Sequence, residues 1–322
     1  MTRRDLAALF AAVVAVQAAI PAIVAGLAAV PAAWAQAGTD AGKATGEKLR
    51  VIASFSILRD VVAHVGGDRV DVTALVGPGG DAHVYEPSPA DARTVGAAGL
   101  IVVNGLGFEG WMERLAQQVS AAKAPVIVAS AGVVPRHAGN PDGAAHTSGP
   151  DPHAWQSVRN VEIYVSNIRD GLIRADPAGR MTYEANATAY LAELGHLDAD
   201  IRRAAAAIPP ARRKVITTHD AFGYFAAEYG IAFIAAQGVS VEADPSARDV
   251  ARIIRAIREQ HIPALFFEAA ADPRLTRRIA AETGARIGGT LYADTLSAVT
   301  GPASTYVEMM RHNIREIEDG LK

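Results

Sequence analysis

From Leu49 onward, short apolar runs rich in β-branched residues alternate with segments of helical period. This alternation occurs twice, on either side of about fifty helix-compatible residues. The first round has predicted strands at Leu49–Ser54, Val70–Val76, Leu100–Val103 and Val126–Ala129. Its helices are Ile57–Val65, stopped by Gly66-Gly67, then Ser88 to about Ala98, opened by a capping-box-like Ser88/Asp91 pair, and Glu109–Ala122. The second round has strands at Lys214–Thr218, Ile231–Ala235, Ala264–Glu268 and Arg286–Leu291, with helices at Ala221–Tyr229, Ser246–Gln260, Arg274–Thr283 and Thr305–Gly320. Short strands joined by helical crossovers make a mainly parallel sheet the economical arrangement, so the fold class is α/β with two lobes.

The intervening stretch reads as Val158–Ala175 and Ala178–Ile208, interrupted by Asp176-Pro177 and ended by Pro209-Pro210. At 1.5 Å per residue the second piece reaches ~45 Å, longer than a crossover inside one small domain needs, and it is predicted to join the lobes. The expected division is an N-terminal lobe over 48–157, a connecting helical segment over 158–208 and a C-terminal lobe over 209–322.

The first 35 residues belong to neither lobe. Arg3 and Arg4 precede an almost wholly apolar run from Leu6 to Val30, and Ala33-Trp34-Ala35 fits a signal-peptidase site. These features predict a signal peptide cleaved after about Ala35, with an uncleaved membrane anchor as the alternative. The Arg pair suits either a twin-arginine signal or an ordinary basic start. Residues 36–47, rich in Gly, Ala and Thr, read as a flexible leader. The exported protein is thus expected in the periplasm.

The 322-residue chain has no cysteine, which excludes disulfides, thiolate metal sites, cysteine nucleophiles and a lipid-attachment cysteine, and leaves metal chemistry to histidine and carboxylates. A formal charge of −3, which becomes −4 once Arg3, Arg4 and Asp5 leave with the signal peptide, argues with the lack of a basic run against nucleic acid.

Nine histidines remain to be placed. His64, His196, His261 and His312 fall within or at the end of predicted helices without a partner four residues on, and read as packed or solvated imidazoles. His137 and His146 lie in 136–150, RHAGNPDGAAHTSGP, read as an exposed loop that either collects metal loosely or carries stray histidines. His83 follows the second strand in DAHVYEPSP, His153 precedes a helix in DPHAWQ, and His219 follows the fifth strand in TTHDAFGYF. In open α/β sheets, ligands are held by the loops at the carboxyl ends of strands. Asp294, in LYADTLS, lies past the last strand and offers a carboxylate ionised at neutral pH. Spacings of 70, 66 and 75 residues exclude a local motif and divide the four between the lobes, so a metal held by all would lie in the cleft. Three separate histidines and one aspartate are equally compatible with unrelated roles.

The strings DAHVYEPSP, NGLGFEGW, DPHAWQ, THDAFGYF and LYADTLS resemble, in order and over essentially the whole mature chain, the signatures of substrate-binding proteins of ABC importers for zinc and manganese. The resemblance implies two lobes bridged by a long rigid helix, one buried metal, and His83, His153, His219 and Asp294 as its ligands. It is nearest to a zinc-type member, although the long His-rich loop of many such members is missing. Three imidazoles and one carboxylate suit a tetrahedral Zn²⁺, whereas manganese prefers more oxygen. In the resembling family a carboxylate commonly replaces the third histidine in manganese members, so His219 reads as zinc.

Glu86 and Glu268 are candidates to orient ligand histidines or to pair with a local Arg, Asp220 to cap the helix at 221–229, and Trp155 and Phe222 to wall a dry pocket. The expected function is high-affinity capture of Zn²⁺ and its delivery to a membrane permease with a cytoplasmic ATPase. A periplasmic zinc chaperone is a further expected partner, and the protein is expected to be monomeric. Manganese is the alternative cargo. A zinc-dependent hydrolase using Glu268 is the enzymatic alternative, disfavoured because four protein ligands leave no open position for water. A surface adhesin would lack its lipid anchor. Affinity is expected to fall below pH ~6.5 as imidazoles protonate.

Overall fold

The computed structural model describes residues 47–112, 115, 124–137, 149–239 and 246–322. The signal peptide, its cleavage site, most of the leader, most of the predicted helix 109–122, and His146 lie outside the described residues.

Strands β1 (Leu49–Phe55), β2 (Val70–Val76), β3 (Leu100–Val103) and β4 (Val126–Val128) form a parallel sheet in the order β2-β1-β3-β4. The C-terminal lobe repeats this order: β5 (Lys214–Thr217), β6 (Ala232–Ala235), β7 (Ala264–Glu268) and β8 (Arg286–Leu291) are arranged β6-β5-β7-β8, again parallel. The central strands are buried on both faces, as continuous runs such as Leu100-Ile101-Val102-Val103 require. In both sheets the chain crosses from one side to the other beside the first strand, where β1 meets β3 and β5 meets β7.

Helices α1 (Ser56–Gly66) and α2 (Pro89–Gly96) belong to the first lobe. The Ser88 hydroxyl accepts the Asp91 N–H while the Asp91 carboxylate accepts the Ser88 N–H, completing the capping box at the start of α2. Helices α3 (Val158–Ala175) and α4 (Arg180–Ala207) follow, separated by a short turn at Pro177–Gly179. At that break Asp176 accepts hydrogen bonds from the Arg69 guanidinium at 2.8 and 2.9 Å and from the Tyr183 hydroxyl at 2.7 Å.

Helix α4 buries Tyr183, Ala187, Tyr190, Leu194, Leu197, Ile201 and Ala205, a single stripe at spacings of three and four. That stripe packs against α1 and α3 and also against α8 (Tyr306–Leu321) of the second lobe. The remaining helices, α5 (Gly223–Tyr229), α6 (Ala247–Gln260) and α7 (Pro273–Thr283), flank the second sheet. One apolar core runs through both lobes and includes Phe55, Trp155, Tyr164, Phe222 and Tyr306; a smaller one joins β5, β6 and β7 to α6 and α7.

Helix α5 differs from the expectation. It begins at Gly223 with Phe222 in the cap position and without a side-chain cap bond, so Asp220 does not cap it. The Asp220 N–H bonds instead to the Gly238 carbonyl, and this tertiary contact holds 219–222 out of the helix.

Candidate metal centre

His83, His153, His219 and Asp294 lie beyond the carboxyl ends of β2, β4, β5 and β8, and the structure brings all four together. Their loops are fixed by different devices. In Asp81-Ala82-His83, Asp81 Oδ1 accepts the His83 N–H at 2.8 Å, while the Trp111 indole N–H donates to the Ala82 carbonyl at 2.8 Å. In Asp151-Pro152-His153 the same turn recurs, with Asp151 Oδ1 accepting the His153 N–H at 3.0 Å. Here the same oxygen also lies 2.7 Å from His153 Nδ1.

The NGLGFEGW segment supports both turns. Gly105, Leu106 and Gly107 adopt left-handed backbone with φ of 86°, 56° and 81°, unusual for a leucine. Buried Glu109 holds the turn by accepting the N–H groups of Asn104 and Gly105 and the Ser54 hydroxyl. The Asn104 amide then donates to the Pro152 carbonyl, next to His153, and Trp111 reaches Ala82, next to His83.

In the second lobe Glu268 accepts the N–H groups of Thr218 and His219 at 2.6 and 3.0 Å and pairs with His219 Nδ1. Asp294 is held largely by the first lobe. The carbonyl of Ala293 accepts from Trp155 Nε1 at 2.7 Å and Gln156 Nε2 at 2.8 Å. On its other side, Thr295 Oγ1 accepts the Gly79 N–H at 2.7 Å and Ser56 Oγ accepts the Leu296 N–H at 3.0 Å.

At the centre His83 Nε2 lies 3.1 Å from His153 Nε2, and the Asp294 oxygens lie 3.8, 3.4 and 2.9 Å from the Nε2 atoms of His83, His153 and His219. One donor atom from each residue falls within 4.8 Å of the others. Metal–nitrogen bonds of ~2.0–2.1 Å in a tetrahedron put neighbouring donors ~3.3 Å apart, so these separations suit a single ion. The buried atoms Asp294 Oδ1 and His219 Nε2 have no hydrogen-bond partner, and a cation would satisfy both. Among the described residues no other group of three or more His, Asp or Glu side chains converges in this way.

The electrostatics of the centre are uneven. Burial depresses the His83 ring to about 3, with Asp294 only partly opposing it, so that imidazole is neutral. Burial also disfavours charge on His219, but Glu268 and Asp294 outweigh it and hold the ring protonated well above the ordinary imidazole range. Asp294 is ionised: burial opposes this, and the imidazoles of His219 and His153 prevail, lowering its pKa.

The expected supporting residues are reassigned in part. Glu268 does orient a ligand candidate, but Glu86 is solvent-exposed and not one of the carboxylates held against a ligand ring, because the chain after His83 runs out to the surface. Its counterpart is Asp151, which the sequence reading missed; the repeated Asp-x-His spacing was the available signal. Trp155 walls the site, its ring centroid 5.3 Å from that of His153. Phe222 instead stacks on Phe233 at 4.7 Å, and the second aromatic wall is Phe108, edge-on to His83 at 4.6 Å. His64 stacks on Tyr190, His312 bonds to the Thr290 carbonyl, His196 is exposed, and His261 ends α6 in left-handed backbone; none joins the converging group. His137 forms an isolated bridge with Pro150.

Four converging protein donors can hold a cation, and if all four bound one tetrahedral ion no position would be left for a reacting water. Glu268, engaged by two backbone N–H groups and a ring nitrogen, is not placed as a general base.

The family described as zinc-uptake complex component A, periplasmic, matches residues 51–320. The manganese-binding lipoprotein MntA of Bacillus subtilis (strain 168) is 35% identical over 291 residues, covering 88% of this chain and 94% of its own length. The iron-binding protein YfeA of Yersinia pestis is 33% identical over 277 residues, covering 86% and 88%. Among solved structures, the periplasmic zinc binding protein TroA from Treponema pallidum superposes with a TM-score of 0.79 at 28% identity, covering 85% of this chain and 99% of its own. A manganese-bound periplasmic metal binding protein from Candidatus Liberibacter asiaticus gives a TM-score of 0.76 at 31% identity, covering 85% and 100%.

Proposed function

The chain belongs to the family of periplasmic metal-binding components of ABC importers described as zinc-uptake component A, and from that premise we propose that its cargo is Zn²⁺, held by His83, His153, His219 and Asp294. As the substrate-binding component of such an importer it acts outside the cytoplasm, serves a membrane permease and its ATPase, and is not an enzyme. The observation that carries the choice of zinc is the donor set. Three imidazole nitrogens converge with one carboxylate, two of the rings being held through Nδ1 by Asp151 and Glu268 so that Nε2 faces inward.

Manganese is the second reading, favoured by a specific observation. Asp294 turns Oδ1 toward His153 and Oδ2 toward His219 and His83, so both oxygens are within reach of one ion, and added oxygen donors suit Mn²⁺. The manganese-binding names of relatives support the same alternative. Export with removal of residues 1–35, supported by the basic start, the apolar run and Ala33-Trp34-Ala35, together with a monomeric state and a periplasmic zinc chaperone as donor, completes the proposal.

The test is elemental analysis of protein from its native compartment, followed by competition between Zn²⁺ and Mn²⁺. Zinc should predominate and displace manganese at equal concentration. His83→Ala, His153→Ala and His219→Ala should each weaken zinc binding about a hundredfold or more, and unchanged stoichiometry and affinity in all three would refute the assignment.

A further inference from the structure

The two Asp-x-His turns are built alike but end differently. Asp151 uses one oxygen for both the backbone and the ring of His153 and is buried. Asp81 accepts the His83 N–H through Oδ1 and remains half-buried, on the wall of a small cavity that it shares with His219, Glu268, Ala270 and Asp294. The cavity therefore reaches two of the four proposed ligands, and Asp81 is a carboxylate on its wall that neither ligates nor holds an imidazole.

Asp81 and Asp294 face the same small space, and two carboxylates so placed disfavour each other's charge. A divalent cation entering the cavity relieves that repulsion before it reaches the nitrogen donors. We propose that Asp81 is a positioning residue for metal capture: it draws the cation to this cavity, where it sheds water, and passes it to Asp294 and His219, setting the association rate and not the release rate. The inference rests on the metal-binding reading above.

The field of one carboxylate on a divalent ion a few ångströms away is large enough to change association about fivefold at low ionic strength, and salt screens it. Two variants separate charge from structure. Asp81→Asn keeps an oxygen for the His83 N–H and removes the charge; Asp81→Glu keeps the charge and lengthens the arm. Apo-protein is mixed rapidly with Zn²⁺, the free ion is followed with a fluorescent zinc indicator, and release is timed separately into excess chelator.

Asp81→Asn should associate about fivefold more slowly than wild type at low salt, with the gap closing at high salt and the release rate within about twofold of wild type. Asp81→Glu should associate nearly as fast as wild type. Unchanged association in Asp81→Asn overturns the proposal, as does the opposite pattern, in which Asp81→Glu is impaired and Asp81→Asn spared, since that is the mark of a turn-forming role. Wild-type protein that takes up no Zn²⁺ or Mn²⁺ would instead defeat the metal-binding reading itself.

Discussion

The proton on His219 gives the sharpest quantitative expectation. Its ring lies between Glu268 and Asp294, which keep it protonated well above the ordinary imidazole range, and Nε2 must lose that proton before it can accept a cation. An ordinary imidazole would leave affinity flat above pH ~7, because it is already neutral there. With the protonation of His219 shifted upward, the apparent Kd should keep tightening as pH rises above ~7, by at most about tenfold per unit, equivalent to about 1.4 kcal/mol. His83, held near 3, adds nothing in this window, so the sequence-based onset near pH ~6.5 moves upward. Calorimetric titration at pH ~7.5 in two buffers of different ionisation enthalpy counts the protons displaced. More than the fraction carried by an ordinary imidazole, and at most one, should be released per metal from His219. Glu268→Gln should cut that release sharply and, by loosening the ring, weaken binding about 10- to 100-fold. Wild-type protein with a constant Kd between pH ~7 and ~8 and no proton release would refute the reasoning. The same proton stabilises the metal-free fold. With its folded pKa raised, His219 contributes fully below the unfolded value of about 6.5 and loses that contribution as pH rises through the folded value.

Two further expectations concern the frame around the site. Trp155→Phe removes the indole N–H that holds the Ala293 carbonyl beside Asp294, a bond of about 1 kcal/mol, and should raise the metal release rate about fivefold; an unaltered rate into excess chelator would show that Gln156 alone suffices. Gly171→Ala, far from the centre, places a Cβ 2.6 Å from Ile127 Cγ1 and 2.8 Å from its Cδ1. The overpacking, about 1–3 kcal/mol less about 1 kcal/mol regained in helix propensity, should lower the urea midpoint while leaving metal affinity unchanged.

The elements were legible where local period and packing agree. Val70–Val76 and Val158–Ala175 are bounded as the residues suggest, because β-branched runs and a single apolar stripe leave few alternatives. The start of α5 was not legible. Asp220 has the chemistry of a cap, but Glu268 on a different strand takes the N–H groups just before it and fixes the chain in another course. The four central side chains could be named in advance because they end parallel strands and sit in recognisable strings. Of their supports Glu268 could be named as well, but Glu109 works through Ser54, 55 residues away, and Trp155, expected only as a wall, also holds Ala293, 138 residues away. Glu86 and Asp151 are both carboxylates near a histidine in sequence, and only burial, a tertiary property, separates the exposed one from the one that holds a ring.

Helix α4 lies against α1 of one lobe and α8 of the other along one continuous buried stripe, so bending it would open both contacts at once. Wide, jaw-like parting of the halves is therefore an expensive route to unloading. A docked permease would do better to peel away the short segment after Asp294, where the Ser56 hydroxyl and the Gly79 amide are the fastenings. Discharge would then resemble lifting a latch on a stiff box, and its speed would be governed by those few bonds rather than by the swing of a hinge.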